Sequence, residues 1–260
     1  RRSSDLAFSV EEISKKIAIK RLIISFAAVT SGMIVFRSHF GNSIEFVVGD
    51  LLPDSGVSLS FYILFSILLS FIAALYGRTI IGALNVSDSF RSISPVFKAS
   101  MIGFGVGSLA YFYPHLVGGG DPQVQDILSG NYFLFPLLLI MLIRFFLGPI
   151  SYSTGVPGGI FSPILLMGSG MGVLFVLLIN PVLAHMGLGP LDPISFALVG
   201  MAAFFTVVVR APLTGILLVT EMSGKVGLMI PLLIASVICT LIPVLLKQDP
   251  IYDALRNRGN

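Results

Sequence analysis

Charged side chains are what this sequence has least of. Only 11% of its 260 residues are Asp, Glu, Lys or Arg, where roughly 25% is usual for a soluble domain. Hydrophobic residues make up 55% and the mean hydropathy is +0.96. So few charges cannot cover a surface facing water, whereas a surface facing lipid tails needs none. The same composition excludes disordered and coiled-coil chains. Cysteine is nearly absent too. Cys239 stands alone in an apolar run, which excludes an internal disulfide framework and reads as a buried packing residue. Histidine is equally sparse. His115 and His185 lie beside Pro or Gly turns without metal-ligand spacing, so no metal and no cofactor is expected. The class that survives is an all-α polytopic membrane protein.

The charges that are present sit mostly at the two ends. The 16 basic and 13 acidic residues give a net charge of +3. Arg1, Arg2, Lys15, Lys16, Lys20 and Arg21 form one basic group, and Lys247, Arg256 and Arg258 the other. This is the positive-inside pattern of cytosolic flanks rather than a nucleic-acid groove. Asp5, Glu11 and Glu12 and the lack of a small-residue cleavage site argue against a signal peptide.

Charge-free stretches at 22–36, 55–77, 99–120, 127–143, 145–191, 193–209, 211–220 and 226–246 mark the membrane segments. Spanning roughly 30 Å of hydrocarbon as a helix takes about 20 apolar residues, and 55–77 and 226–246 meet that requirement cleanly. Others are short, or are cut by Gly and Pro as 145–191 is at GPISYSTGVPGGIFSP. Broken helices survive in a membrane only where protein or a water-filled cavity satisfies the freed backbone, and in transport proteins such breaks commonly mark the binding site.

Several helix starts are written as Pro after a capping residue. Asp121-Pro122, Asp192-Pro193 and Asp249-Pro250 read as N-cap carboxylates with Pro at the first helical position. Ala211-Pro212 and Ser162-Pro163 have the Pro without the acid. A helix N-terminus carries unpaired N–H groups and partial positive charge, so an uncapped one needs another acceptor. The turn Gly155-Val-Pro-Gly-Gly-Ile-Phe-Ser-Pro163 lies in a run, 145–191, that has no carboxylate at all. Gly158 and Gly159 leave the approach open, so a bare anion could take the place of a cap. A tight interhelical turn satisfied by neighbours or water accounts for the same spacing equally well.

Two Gly-rich stretches, Gly103-Phe-Gly-Val-Gly107 and Gly168-Ser-Gly-Met-Gly172, read as small-residue helix packing, because neither follows a strand as a nucleotide loop would. Arg144, Arg210 and Glu221, flanking or interrupting apolar segments, are expected to pair with each other or with carbonyls. Glu11 and Glu12 precede the first apolar run. By spacing they pair with Lys15 and Lys16 on a solvated helix start, with a protonatable carboxylate at the mouth of a transport path as the alternative. No paired acids, metal-spaced histidines or serine–base arrangement lies within the apolar runs, so an intramembrane enzyme is not expected.

At GVPGGIFSP (155–163), GMAAFFTVVVRAPLTGILLVTEM (200–222) and KQDPIYDAL (247–255), the chain resembles the CLC family of chloride channels and chloride/proton antiporters. Ile143-Arg144 through Glu221 and the upstream VEEI at 10–13 match as well, so the resemblance covers essentially the whole chain. It implies a bundle of about ten tilted, broken and unequal helices with inverted-repeat architecture, in the cell (inner) membrane. It places chloride, as bound substrate, on the backbone N–H groups of Ile160 and Phe161, with Ser162 adjacent, and on the hydroxyl of Tyr252. It gives Glu12 the proton-transfer role, with Glu11 as the preceding acid found in some members, and thereby favours Cl−/H+ exchange. It also implies a homodimer, with the apolar helices near 22–36 and 212–245 forming much of the interface.

The family's GSGIP-type and GREGP-type motifs do not occur in these residues. Residues 1–260 are therefore expected to be the later part of a CLC membrane domain, as a fragment or a natural half-protein. A passive chloride (or fluoride) channel of the same family, and a non-transporting half-subunit that needs the missing part, stand as alternatives.

Overall fold

The computed structural model describes residues 19–41, 45–52, 56–90, 93–130, 132–155 and 158–259. Ten α-helices occur among them. In chain order they are α1 (Ile19–Phe40), α2 (Gly56–Ser89), α3 (Pro95–Phe112), α4 (Asp121–Leu128), α5 (Leu134–Tyr152), α6 (Phe161–His185), α7 (Pro193–Val209), α8 (Pro212–Ser223), α9 (Met229–Leu245) and α10 (Ile251–Gly259). The spans Ser58–Ser89, Leu134–Tyr152, Phe161–His185 and Val226–Leu245 are long and apolar enough to cross a membrane. At 17 residues, α7 rises only about 25 Å, short of the hydrocarbon thickness. The expected inequality of the helices is thus present, and the predicted break in 145–191 falls between α5 and α6.

The core is built around α7, in which every residue from Ser195 to Val209 is buried. Helices α6, α2, α9 and α8 surround it. The closest pairing is the antiparallel α6–α7 hairpin, and glycine makes it possible. A Cβ on Gly168 would overlap the carbonyl of Gly200, and one on Gly172 would overlap the carbonyl of Phe196. Gly170 receives the thioether of Met141 from α5 in the same way. Where lipid tails are as apolar as the side chains, such close packing replaces hydrophobic exclusion as the source of cohesion. Gly168, Gly170 and Gly172 therefore pack as the sequence implied. Gly103, Gly105 and Gly107 do not: no atom lies within 4 Å of where their Cβ would be, and α3 has no buried residue.

The polarity pattern is that of a lipid-facing bundle. On α2, Tyr62, Phe65, Leu69, Ala73 and Tyr76 point inward while Ile63, Leu64, Leu68, Phe71 and Leu75 are exposed. Several buried hydroxyls bond back within their own helices. Ser66 donates to Tyr62 O at 2.6 Å, Ser70 to Ser66 O at 2.6 Å and Thr206 to Ala202 O at 2.8 Å. Cys239 is buried, with its Sγ 3.2 Å from Ser70 Oγ, as befits a packing residue.

Helix starts follow the sequence reading only in part. Asp192 is a true N-cap, accepting from Ser195 N at 3.0 Å and Ser195 Oγ at 2.6 Å. Burial, and after it the nearby Asp192 carboxylate, pushes the Tyr132 phenol up. Asp121 is not a cap. Gly120 occupies that position at φ 113°, and Asp121 is the first residue inside α4. Pro250 precedes α10 directly, leaving Asp249 outside it. Ser162 is likewise not a cap, since α6 begins at Phe161 with Ile160 as its N-cap residue.

Candidate anion site

The N-terminus of α6 has no side-chain cap, and its first turn holds no acid. The first intrahelical bond runs from Ile164 N to Ile160 O at 3.2 Å. Pro163 has no N–H to offer. The donors left without an intrahelical acceptor are therefore those of Ile160, Phe161 and Ser162. Gly158 and Gly159 before them are exposed, while Ile160 is buried. All five residues of the expected turn are brought together here. Positively polarised N–H groups of this kind bind an anion without a full charge, which would hold it too tightly to move on.

A cavity of about 260 Å³ adjoins this turn and is lined by Gly158, Gly159, Ile160, Gly118, Arg144 and Tyr76 among others. Arg144 is 6% exposed. Its guanidinium donates to Gly118 O at 2.6 Å and Val117 O at 2.8 Å, so its partners among the described residues are carbonyls, as the sequence implied. Arg144 thereby ties α5 to the glycine turn 118–120, which in turn lies on the start of α6. A Cβ on Gly120 would stand 3.0 Å from Leu166, and the positive φ at Gly118 and Gly120 needs glycine in any case.

This glycine turn delivers a residue that the sequence reading assigned elsewhere. Asp121 accepts a hydrogen bond from Ser162 Oγ at 2.8 Å. The carboxylate expected to serve its own helix therefore also stands at the first turn of α6. The visible signal is the acid directly after three glycines, but only the packing of α4 against α6 shows its target.

Tyr252 lies in the first turn of α10, half-buried against the core. The end of α7 touches both the anion turn and the loop that precedes α10. Phe205 meets the Phe161 ring edge-on at 5.9 Å. Five residues on, Arg210 ends α7 in left-handed backbone (φ 67°) and donates to Gln248 O at 2.6 Å, in the loop that leads into α10. Glu11 and Glu12 lie outside the described residues.

Four helices long and apolar enough to cross a membrane, packed with shorter ones around a buried central helix, define an integral multi-pass membrane protein. A voltage gated chloride channel family model matches residues 6–243, and the chain belongs to that family. It is 31% identical over 264 residues to the H(+)/Cl(−) exchange transporter ClcA of Vibrio parahaemolyticus, covering 97% of this chain and 55% of the relative. The ClcA of Cronobacter sakazakii is 30% identical, with the same coverage. Among solved structures, a slow cyanobacterial Cl−/H+ antiporter matches with a TM-score of 0.82 at 27% identity, over 99% of this chain and 60% of that one. A CLC-type fluoride/proton antiporter shares the fold, with a TM-score of 0.68 at 14% identity. The chain spans about half the length of the curated relatives it matches.

Proposed function

We propose that this chain is the later part of a CLC membrane domain and takes part in chloride transport across the cell membrane, with protons moving the opposite way. The observation that carries the reading is the uncapped start of α6. Ile160, Phe161 and Ser162 offer backbone N–H groups there, with no acid in the turn and glycines in front. The names of the ClcA relatives support proton exchange over passive conduction. In this reading Tyr252 donates its hydroxyl to the same chloride, Glu12 passes the proton with Glu11 beside it, and chloride is substrate rather than cofactor. Two copies assemble through α1 and α8–α9, where exposed Ile23, Ile34, Leu213, Ile230, Val237 and Leu241 support an apolar interface.

The deciding experiment measures reversal potential in liposomes containing the complete polypeptide under crossed chloride and proton gradients. A potential that responds to both gradients is expected. One fixed by chloride or fluoride alone would identify a passive channel, and no flux at all would leave a half-subunit. In the same assay Glu12→Gln is expected to remove proton flux while chloride flux persists. Unchanged proton flux would exclude Glu12 from the path. Tyr252→Phe is expected to weaken chloride binding about tenfold to a hundredfold in calorimetric titration, as a hydrogen bond to a charged group is worth roughly 1.5–3 kcal/mol. Unaltered affinity would leave the backbone amides as the only ligands.

A further inference from the structure

We propose that a cavity between the far end of α2 and the loop preceding α10 holds the anionic phosphate headgroup of a membrane lipid. Helix α2 is 34 residues long, a rise of about 50 Å, where roughly 30 Å suffices to cross the hydrocarbon. Its charge-free run closes at Gly77, and Arg78 is the first charge after it. The turns from Arg78 onward therefore stand in the headgroup layer. Helix α9 ends at the same level, since the Arg78 guanidinium donates to Leu246 O at 3.4 Å, one residue past its last turn. Beside this contact lies a cavity of about 320 Å³, lined by Gly77, Arg78, Gly82, Asn85, Lys247 and Asp249 among others. Small-ligand sites have volumes of roughly 300–1,000 Å³.

The lining carries a positive excess. Among the described residues, neither Arg78 nor Lys247 is paired with a carboxylate. Asp249 is the acid in the lining, and its charge interacts with that of Arg210. Arg258 at the rim is bonded to Asp88 and Asn85. A planar guanidinium and an ammonium thus line the space without a carboxylate partner, and both are donors suited to phosphate oxygens. Gly82 keeps the space open, because no atom lies within 4 Å of where its Cβ would be. What leads up to the cavity favours a lipid over a soluble phosphate. Phe71 and Leu75 are exposed and stand two turns and one turn before Arg78 on the same face of α2. An acyl chain lying along them brings its headgroup to Arg78. Lys247, Arg256 and Arg258 mark this end as the positively flanked, cytosolic one, where basic pockets between membrane helices take anionic headgroups.

The test is native mass spectrometry of the purified complete protein in neutral detergent, titrated with phosphatidylglycerol, phosphatidylcholine or soluble glycerol phosphate. One phosphatidylglycerol per chain is expected to bind roughly tenfold or more tightly than phosphatidylcholine, whose choline the two cations repel. R78Q and K247Q should each weaken phosphatidylglycerol binding about fivefold, the factor that one basic residue near an anionic surface contributes. G82F adds its ring to open space rather than to packed backbone. It should therefore melt with the wild type, keep both cations and lose the bound lipid by filling the cavity. Equal affinity for the two lipids, or unchanged phosphatidylglycerol affinity when Arg78 and Lys247 are both replaced by Gln, overturns the site. Wild-type affinity in G82F overturns its placement in the cavity. Glycerol phosphate binding as tightly as phosphatidylglycerol, and weakened by the same two substitutions, overturns the lipid in favour of a soluble phosphate.

Discussion

Gly172→Leu is expected to abolish the native fold, giving aggregated protein in size-exclusion chromatography and no cooperative thermal transition in detergent. The Cβ of any larger residue would overlap the backbone carbonyl of Phe196. Backbone in the middle of a helix cannot step aside as a flexible side chain can, so α6 and α7 would have to separate. Neighbouring contacts would fail with them, since Gly168 and Gly200 depend on the same approach. Overpacking in a core typically costs about 1–3 kcal/mol, and the cost here is expected to exceed that range, because α7 is buried along nearly its whole length and every partner helix would shift. Gly105→Leu is the matched control. It is on a helix too, but faces open space, and it should melt within about a degree of the wild type. Equal melting temperatures for Gly172→Leu and Gly105→Leu would refute the packing account.

Arg144→Met is expected to cost about 2–5 kcal/mol of stability and to weaken chloride binding roughly tenfold. Methionine replaces the aliphatic stem but leaves the carbonyls of Val117 and Gly118 without their donor, at about 1–3 kcal/mol each. The glycine turn 118–120 then loses its tie to α5 and with it the fixed placement of Asp121. The affinity loss has a second cause. The buried positive charge of Arg144 borders the same cavity as Gly158, Gly159 and Ile160 and favours an anion there. Arg144→Lys separates the two effects, because an ammonium keeps the charge but cannot hold two carbonyls in a planar fork. Retained chloride affinity in the lysine variant, with stability lowered, would assign the affinity loss to charge. Full affinity in Arg144→Met would exclude Arg144 from the site.

Much of the candidate site was legible in the residues because its chemistry is local. An uncapped terminus is written in consecutive positions, as glycines, a proline within the first turn and no acid, and residues 158–163 carry all of it. The same holds for the break between α5 and α6 and for the Asp192 cap. What depends on a partner was not legible. Asp121-Pro122 has the local pattern of Asp192-Pro193, yet Gly120 took the cap position because a left-handed residue was needed there. The freed carboxylate then met Ser162, 41 positions away. The two glycine runs also look alike in sequence. One lies against α7 and the other faces open space, since spacing fixes a helix face but not what covers it.

The scarcity of charge by itself determined that the protein is a lipid-solvated helical bundle, because an exterior with so few ionisable groups cannot be hydrated. The sequence also determined that α6 starts without an acid in its first turn, because residues 158–163 hold none. Only the tertiary structure decided which helix is central, which glycines are indispensable, and that Arg144 and Asp121 stand on either side of the glycine turn beside the α6 terminus. Those outcomes depend on which backbones approach one another, and that is set by packing across the whole bundle.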